Sequence, residues 1–411
     1  MDGRTEEPET ETSPKHATKR VVVRGNPVFF PGLNGVRFLA AFSVLLYHIE
    51  VFKHFSRLPN WYAFPLWKNL GPYGVVCFFT LSGFLITYLL LEEKKQMGTV
   101  RLRKFYIRRM LRIWPLYYLI IALGFTCAYL FADTLGFRRA PLEPFGTQVG
   151  LFALMLPNLA WQMYGVIPFV GPLWSVGVEE QFYATWPWLF KMGRKQTLFA
   201  ILAILLGFIA ARFLVSWLTE NHASHSELNR NWRVAIGFFA TLKLECMIVG
   251  GLMAFVIQRK SARMIPLLHS LPIQAAALLF IPLALWHELE LGPFSNTVWG
   301  IAFGIFILNV ATNPKALVRL RHPALDYLGR ISFGLYVYHS FAIAGCLLVL
   351  RTAYPSGGVT FNVLLYGLST LITVGMAALS FRLYEQPFLS QKKKWTVIEN
   401  HSEDKRKLRP A

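Results

Sequence analysis

Ten apolar segments, each long enough to cross a lipid bilayer, follow one another along this 411-residue chain. A hydrocarbon core about 30 Å thick is spanned by about 20 helical residues. Within lipid, only helices and closed barrels satisfy their own backbone hydrogen bonds. The segments therefore predict an all-α fold, a polytopic membrane helical bundle of about 10 transmembrane helices. The predicted spans are 33–52, 73–91, 113–132, one crossing within 149–190, 197–218, 233–257, 265–286, 294–311, 327–350 and 362–384.

Composition and charge favour the membrane over nucleic acid. The chain is 54% hydrophobic and only 16% charged, which is typical of a polytopic membrane protein. Its net charge of +20 is spread over short blocks between the apolar segments and over both tails. Because this is the distribution that the positive-inside rule describes, the charge indicates orientation. We expect the lipid bilayer as a partner and no nucleic acid.

The basic blocks share one side of the membrane if the stretch 149–190 crosses only once. They are the N-terminal tail, 94–112, 191–195, 259–263, 315–321 and the C-terminal tail. The positive-inside rule then predicts a multi-pass protein of the cell (inner) membrane with both termini in the cytoplasm. We expect a disordered cytoplasmic tail at 1–28, a membrane domain at 29–389 and a basic cytoplasmic tail at 390–411, disordered after about Ser390.

The stretch 149–190 is broken by helix-disrupting residues. These are Pro157, Pro168, Gly171, Pro172 and Pro187. We expect one crossing plus a re-entrant or interfacial segment. Irregular backbone at membrane depth is tolerated only where protein or a water-filled cavity surrounds it. The pattern therefore predicts a cavity near residues 171–180.

Polar residues inside apolar segments indicate where a functional site lies. Arg37 and His48 lie eleven residues apart in the first span, close to three helical turns, so both face one side about 16 Å apart. Ionisable residues at such depth are costly and by default indicate a functional site. Glu179 and Glu180 lie in the broken stretch and need partners. An imidazole oriented by a carboxylate is a general base near neutral pH, so we expect His48 to pair with one of them.

Six sequence motifs together resemble the integral-membrane acyltransferase-3 family. They lie at 33–48, 78–86, 105–112, 173–183, 331–339 and 384–388. Members of this family O-acylate sugars, glycolipids, peptidoglycan or small metabolites, using acyl-CoA. The resemblance extends over about residues 31–388 and implies that this chain is an acyl-CoA-dependent O-acyltransferase.

The family motifs fall on specific positions of this chain. Its Arg-ten residues-His pattern falls on Arg37 and His48, its Arg-x-x-Arg pattern on Arg109 and Arg112, and its Trp-Ser-x-x-x-Glu pattern on Trp174, Ser175 and Glu179. Two positions differ from the family. Asn34 replaces a common aspartate, so a role for a carboxylate there is lost. Lys243 and Glu245 stand where an Arg-x-Asp pair is common.

The resemblance implies a different role for each of these residues. Arg37, Arg109 and Arg112 would bind the donor, because arginine holds phosphate through bidentate, permanently charged contacts. For Arg37 the alternative is a structural role, in which it pairs with an acidic residue. Basic inner loops are common in membrane proteins, so the charge alone would not establish this role. His48 would be the catalytic base and Glu179 would orient it. Glu180 is the alternative, since adjacent helical residues point about 100° apart.

Four further residues are candidates for supporting or acceptor-site roles, each with a structural alternative. Ser82 or Tyr183, or His48 itself, can carry the acyl group in a covalent relay. The Ser82–Gly83 pair is also typical of close helix packing. His339 is expected to pack in the bundle or to contact the acceptor. Trp174 is expected to stack on a sugar or on pantetheine, or to anchor at the membrane interface.

We therefore predict a transfer of an acyl group, expected to be acetyl, from acyl-CoA to a hydroxyl of a cell-envelope glycan or glycolipid. Acyl-CoA is a co-substrate, and we expect no permanently bound cofactor and no metal. Acylation of a small lipophilic metabolite such as a macrolide stays open. A non-catalytic transporter or acyl-group conduit is the alternative of another class, although no internal repeat is visible in the motif order.

Overall fold

A computed structural model describes residues 30–131, 133–134, 144–221 and 230–397. In chain order its helices are α1 Leu33–Phe55, α2 Pro65–Met97, α3 Leu102–Phe131, α4 Phe145–Ala153, α5 Pro157–Tyr164, α6 Leu173–Leu189, α7 Arg194–Asn221, α8 Arg230–Thr241, α9 Leu244–Gln258, α10 Met264–Leu268, α11 Leu271–Trp286, α12 Ser295–Thr312, α13 Pro323–Arg330, α14 Ser332–Ala353, α15 Val359–Ser380 and α16 Gln386–Lys392. The expected tail at 1–28 and most of the C-terminal tail lie outside the described residues.

The membrane character predicted from the sequence is confirmed. In the described part, eight helical stretches are long and apolar enough to cross a bilayer, and the 16-residue α11 is a shorter apolar helix. Helix α7 lies at the periphery, since only 11% of its most apolar window is buried. Its outward side chains include Phe199 and Leu206, which are 75% and 65% exposed. An exposed apolar face of this kind is typical of a surface that contacts lipid or another apolar surface and not water.

Helices α1 and α2 are antiparallel and set the depth scale of the bundle. Gly71 of α2 packs directly against the Tyr47 side chain of α1, and Gly74 packs against Ser43. Helix α2 also crosses α9 closely, because a Cβ on Gly83 would lie 1.9 Å from the Met247 carbonyl oxygen. Small residues at membrane helix crossings allow such close approach of two backbones.

We call the end of the bundle at which α1 begins the basic end. The basic blocks 94–112, 191–195, 259–263 and 315–321 all lie there. Contacts at this end include Lys94 with the Met192 carbonyl, Arg194 with Gln258 at 2.6 Å, His269 with Thr312 at 3.0 Å and Asn34 with Asp326 at 2.6 Å. One end of the bundle therefore gathers the blocks that the sequence assigns to one side of the membrane.

The broken stretch folds as predicted, with a helical hairpin followed by one long helix. Helices α4 and α5 form the hairpin, in which α4 returns from the far end of α3 and the Tyr117 hydroxyl donates to the Phe152 carbonyl at 2.7 Å. Helix α6 then runs parallel to α2 toward the basic end. The Trp186 indole accordingly donates to Thr87 at 2.8 Å. Of the three helices in this stretch, α6 alone runs across the bundle in the direction that the single predicted crossing requires.

Two boundaries differ from those expected. The predicted span 233–257 is interrupted between α8 and α9, where Arg212 of α7 donates to the Leu242 carbonyl at 3.1 Å and to Glu245 at 2.8 Å. These bonds satisfy a backbone group that the break exposes. The C-terminal tail begins later than Ser390, since helix α16 runs to Lys392 and Val397 is buried.

Candidate active site

Two adjoining cavities penetrate the bundle from the basic end. The larger, which we call the vestibule, measures about 280 Å³ and is lined by Asn34, Arg37, Arg112, Arg330, Glu385 and Lys393 among others. The inner cavity measures about 110 Å³, and its polar lining includes Ser82, Arg109, Ser175, Glu179, Tyr183 and Tyr336. Arg37, Arg112 and Phe333 line both. The three arginines predicted as donor ligands are therefore brought together, two of them at the junction of the cavities.

Arg37 is held in place by a chain of hydrogen bonds that the sequence did not reveal. Its guanidinium donates to the Asn34 amide oxygen at 3.0 Å, and the Asn34 amide nitrogen donates to Asp326 at 2.6 Å. The carboxylate that Asn34 lacks is thus supplied by Asp326 of α13, one hydrogen bond further away. Sequence reasoning missed Asp326 because it lies 292 residues from Asn34.

Glu179 lies in the wall of the inner cavity, between two hydroxyl groups. Ser82 donates to one carboxylate oxygen and Tyr183 to the other, both at 2.9 Å. Tyr183 reaches Glu179 because residues four apart share one face of a helix. Ser82 therefore faces the cavity, while its neighbour Gly83 provides the close crossing with α9. The close helix packing expected of this pair thus rests on Gly83, and a catalytic role of Ser82 stays a prediction.

Arg109 brings a cation to the same cavity. Its guanidinium carbon lies 5.5 Å from the centre of the Tyr183 ring and 5.7 Å from that of Phe105. Within the described residues, its buried Nε has no hydrogen-bond partner. A guanidinium held by rings and not by a carboxylate keeps its donors available for a ligand. An anionic or polarised oxygen is the ligand that such a group prefers.

Glu180 and Trp174 lie away from the lining of the inner cavity. Glu180 turns toward α3, where it accepts a hydrogen bond from the Trp114 indole at 3.0 Å. Trp174 packs between Phe79 and Trp161, with ring centres 6.0 and 5.5 Å away. The half-buried Trp174 therefore has packing partners on α2 and α5, and its predicted roles stay predictions.

His48 is oriented by its own helix. Its Nδ1 lies 2.8 Å from the Val44 carbonyl oxygen. A carbonyl can only accept, so this bond assigns the proton to Nδ1 and leaves the lone pair on Nε2. The expected pairing of His48 with Glu179 is wrong, because the Glu179 carboxylate bonds to Ser82 and Tyr183 instead.

The register of α1 against α2 explains why this pairing fails. Gly71 contacts Tyr47, next to His48, whereas Ser82 bonds to Glu179 eleven residues further along α2. At 1.5 Å per residue this separates the two levels by about 16 Å. Glu179 therefore lies at the depth of Arg37, and His48 lies about three turns closer to the far end.

Aromatic rings lead from His48 back to the inner cavity. The His48 ring centre lies 4.6 Å from that of His339, which lies 6.1 Å from that of Tyr336. The Tyr336 hydroxyl is within 2.7 Å of the Ser175 hydroxyl, and both residues line the inner cavity. His339 thus joins His48 in the bundle interior, a grouping that the spacing of the motifs did not show.

The fold and these cavities define a polytopic helical membrane protein with a polar, arginine-lined site inside its bundle. The chain matches the family model of the acyltransferase-3 domain over residues 30–381, and it belongs to that family. It is similar to the O-acetyltransferase OatA of Staphylococcus aureus strains NCTC 8325 / PS 47, MRSA252 and MW2. Each is 25% identical over 388 residues, which cover 90% of this chain. The match covers 58% of the length of each relative. No solved structure matches the chain significantly.

Proposed function

We propose that this protein transfers an acetyl group from cytoplasmic acetyl-CoA to a hydroxyl of a cell-envelope glycan or glycolipid. Membership of the acyltransferase family and similarity to proteins named O-acetyltransferase support the reaction type. The single observation that carries the proposal is the arginine-lined vestibule that adjoins a polar cavity within the bundle. A transporter without chemistry of its own gives no comparable reason for a cation cluster beside a buried carboxylate.

The donor site follows from charge and shape. Coenzyme A carries several phosphate charges on one end and a flexible pantetheine arm on the other. The vestibule offers Arg37, Arg112, Arg330 and Lys393 to the phosphates, and arginine holds phosphate in two-point contacts. The arm would pass between Arg37 and Arg112 into the inner cavity. There Arg109 and the hydroxyls that bond to Glu179 offer polar contacts to its amides.

Orientation follows from the basic end. Cationic loops are retained in the cytoplasm, so the basic end faces the compartment that contains acetyl-CoA. Helix α1 begins there and α16 ends there, which supports the proposal that both termini are cytoplasmic. The donor would then arrive from inside, and the acceptor would reach His48 from the opposite end of the bundle or from the lipid.

The transfer itself requires one base. The acceptor hydroxyl donates its proton to the lone pair on Nε2 of His48 while its oxygen attacks the thioester carbonyl carbon. The carbon–sulfur bond then breaks, and the thiolate takes the proton and leaves as coenzyme A. The Val44 carbonyl keeps the His48 tautomer that this role needs. An extended pantetheine arm would carry the thioester past the inner cavity to the level of His48.

A covalent route is a second candidate, favoured by one observation. Ser82 and Tyr183 both line the inner cavity and both donate to Glu179. Either hydroxyl would then accept the acetyl group as an ester before the acceptor takes it. Mass spectrometry of the protein after incubation with acetyl-CoA alone separates the routes. An added acetyl group on Ser82 or Tyr183 supports the relay, and an unmodified protein that still transfers supports direct attack.

The acceptor class is tested in the host cell. Mass spectrometry of envelope glycans and glycolipids with and without this protein should show a loss of one acetyl mass from a saccharide. A loss from a small lipophilic compound instead would move the acceptor to that class. Unchanged acetylation throughout, with export of an acylated compound abolished, would favour the transporter alternative.

A further inference from the structure

His339 of α14 is a buried polar residue whose ring nitrogens make no hydrogen bond of good geometry with the described chain. Its side chain is fully buried, at 0% exposure. The backbone of Leu335 and Tyr336 lies near the ring, but neither ring nitrogen meets a partner with good hydrogen-bond geometry within the part of the chain that the structure describes. A buried imidazole in this condition costs free energy that an apolar ring of similar shape would not cost. A group like this needs an explanation outside simple packing.

The position of His339 beside His48 provides such an explanation. The two ring centres are 4.6 Å apart, with the ring planes tilted by 45°. His48 donates a hydrogen bond from Nδ1 to the Val44 carbonyl and keeps a lone pair on Nε2. A neutral imidazole always carries one N–H, so His339 adds at least one donor next to that lone pair. The pair therefore presents an acceptor and a donor side by side.

Acyl transfer to an alcohol requires such an arrangement. In the tetrahedral intermediate, the attacking oxygen and the former carbonyl oxygen are bonded to the same carbon. The attacking oxygen must give up a proton, and the carbonyl oxygen gains negative charge that a fixed donor stabilises. A neutral imidazole can act as that donor, polarising a carbonyl without itself being an acid near neutral pH.

We propose that His339 is the oxyanion donor of the transfer, with His48 as the base. The hydroxyl of the acceptor donates to Nε2 of His48, and an N–H of His339 donates to the thioester carbonyl oxygen. As the oxygen–carbon bond forms, the proton moves to His48 and the carbonyl oxygen becomes an oxyanion bonded to His339. The carbon–sulfur bond then breaks and the proton passes to the thiolate. His339 keeps its own proton throughout. This inference rests on the proposed function and assigns His339 a direct contact with the reacting atoms.

Nearby polar groups do not replace this donor. The Tyr336 hydroxyl, the next polar group along the row of rings, is already bonded to Ser175 at 2.7 Å and to the Pro172 carbonyl at 3.0 Å. Arg109 lines the inner cavity, as does Ser82, and Ser82 lies about 16 Å from the level of His48 by the helical rise. Of these groups, His339 is the one whose ring lies beside His48.

Three variants of the full-length protein in detergent or nanodiscs test the assignment, with acetyl-CoA and a glycan extract of the host's cell envelope as substrates. His339→Phe keeps the ring shape and removes the donor, so kcat should fall by about 10²–10³-fold with the KM for acetyl-CoA unchanged. His339→Gln restores N–H donors and should recover at least tenfold of that loss. His269→Phe is the control, because His269 is a histidine of the basic end that bonds to Thr312. Its kcat should stay within threefold of wild type.

Thermal unfolding distinguishes a chemical role from a structural one. Removing an unpartnered buried group should leave the melting midpoint of His339→Phe equal to or above that of wild type. A kcat within threefold of wild type in this variant would overturn the inference, and so would a joint fall in kcat and midpoint without recovery in His339→Gln. If His48→Ala is inactive while His339→Phe is fully active, only the inference fails. If the wild-type protein transfers no acetyl group from acetyl-CoA, the proposed function fails and the inference fails with it.

Discussion

At the scale of single residues, side chains next to each other in sequence have different tasks. Glu179 and Glu180 illustrate this, since one lines the inner cavity and the other bonds to the Trp114 indole of α3. Ser82 and Gly83 divide in the same way, with a hydroxyl in the cavity and a helix crossing behind it. Because a helix turns by about 100° per residue, one of two adjacent side chains can line the cavity while the other packs against a neighbouring helix.

Glu179→Gln should lower transfer at least tenfold, because the amide nitrogen donates where Ser82 or Tyr183 needs an acceptor. Hydrogen bonds to a charged group are worth about 1.5–3 kcal/mol, which corresponds to a factor of ten or more. Glu180→Gln is the matched control and should change transfer less than threefold. Steady-state rates with acetyl-CoA measure both. Equal effects in the two variants would mean that the cavity carboxylate has no special role.

Arg109→Gln should weaken donor binding at least tenfold, because a charge-assisted hydrogen bond is lost from the cavity wall. Arg103→Gln is the control, since Arg103 lies in the same basic stretch near the start of α3 but is exposed and stacks on Trp395. Isothermal titration calorimetry of coenzyme A with each purified variant makes the comparison. If both variants bind like wild type, the donor site lies elsewhere.

At the scale of elements, helix crossings fix where the site residues lie. Helices α2 and α9 approach so closely that a Cβ on Gly250 would lie 2.0 Å from the Thr80 carbonyl oxygen. This crossing holds α2 in the register that places Ser82 opposite Glu179. Helix packing in membranes depends on such small residues because lipid provides no hydrophobic drive between helices.

Gly83→Ala should destabilise the bundle, since the added methyl group would meet the Met247 backbone at 1.9 Å and force α2 and α9 apart. Overpacking of this kind typically costs about 1–3 kcal/mol. Gly207→Ala in α7 is the control, because nothing lies within 4 Å of its Cβ position and alanine favours a helix. The midpoint of thermal unfolding in detergent should fall for the first variant and stay level or rise for the second. The reverse order would contradict the crossing.

The existence and the approximate extent of most membrane spans could be predicted from the sequence, because lipid requires every crossing to be long and apolar. The single crossing of 149–190 followed from charge placement alone. Relative depth could not be predicted in the same way. The mistaken pairing of His48 with Glu179 shows this, since the register of α1 and α2 is set by Gly71 and Gly74 packing on specific partners. The hydrogen bond from Asn34 to Asp326 could not be predicted either, because it also depends on how helices distant in sequence pack against each other.

At the scale of the whole molecule, the basic end and the far end have different chemistry. The basic end holds the cationic blocks and the vestibule, and His48 lies about three turns deeper than the Arg37 level. An enzyme that takes an anionic donor from one side and a hydroxyl acceptor from the other needs this polarity. Under the proposed function, the helical bundle would be the barrier across which the acetyl group passes.

The most direct test supplies isotopically labelled acetyl-CoA to membrane vesicles with the basic end exposed to the donor. The vesicles contain wild-type protein or His48→Ala, and mass spectrometry follows the label into envelope glycans and glycolipids. We predict labelled acetyl esters with the wild-type protein and a rate lower by about 10²–10⁴-fold with His48→Ala at equal membrane insertion. No label with the wild-type protein, or labelling within threefold of wild type with His48→Ala, would contradict the account.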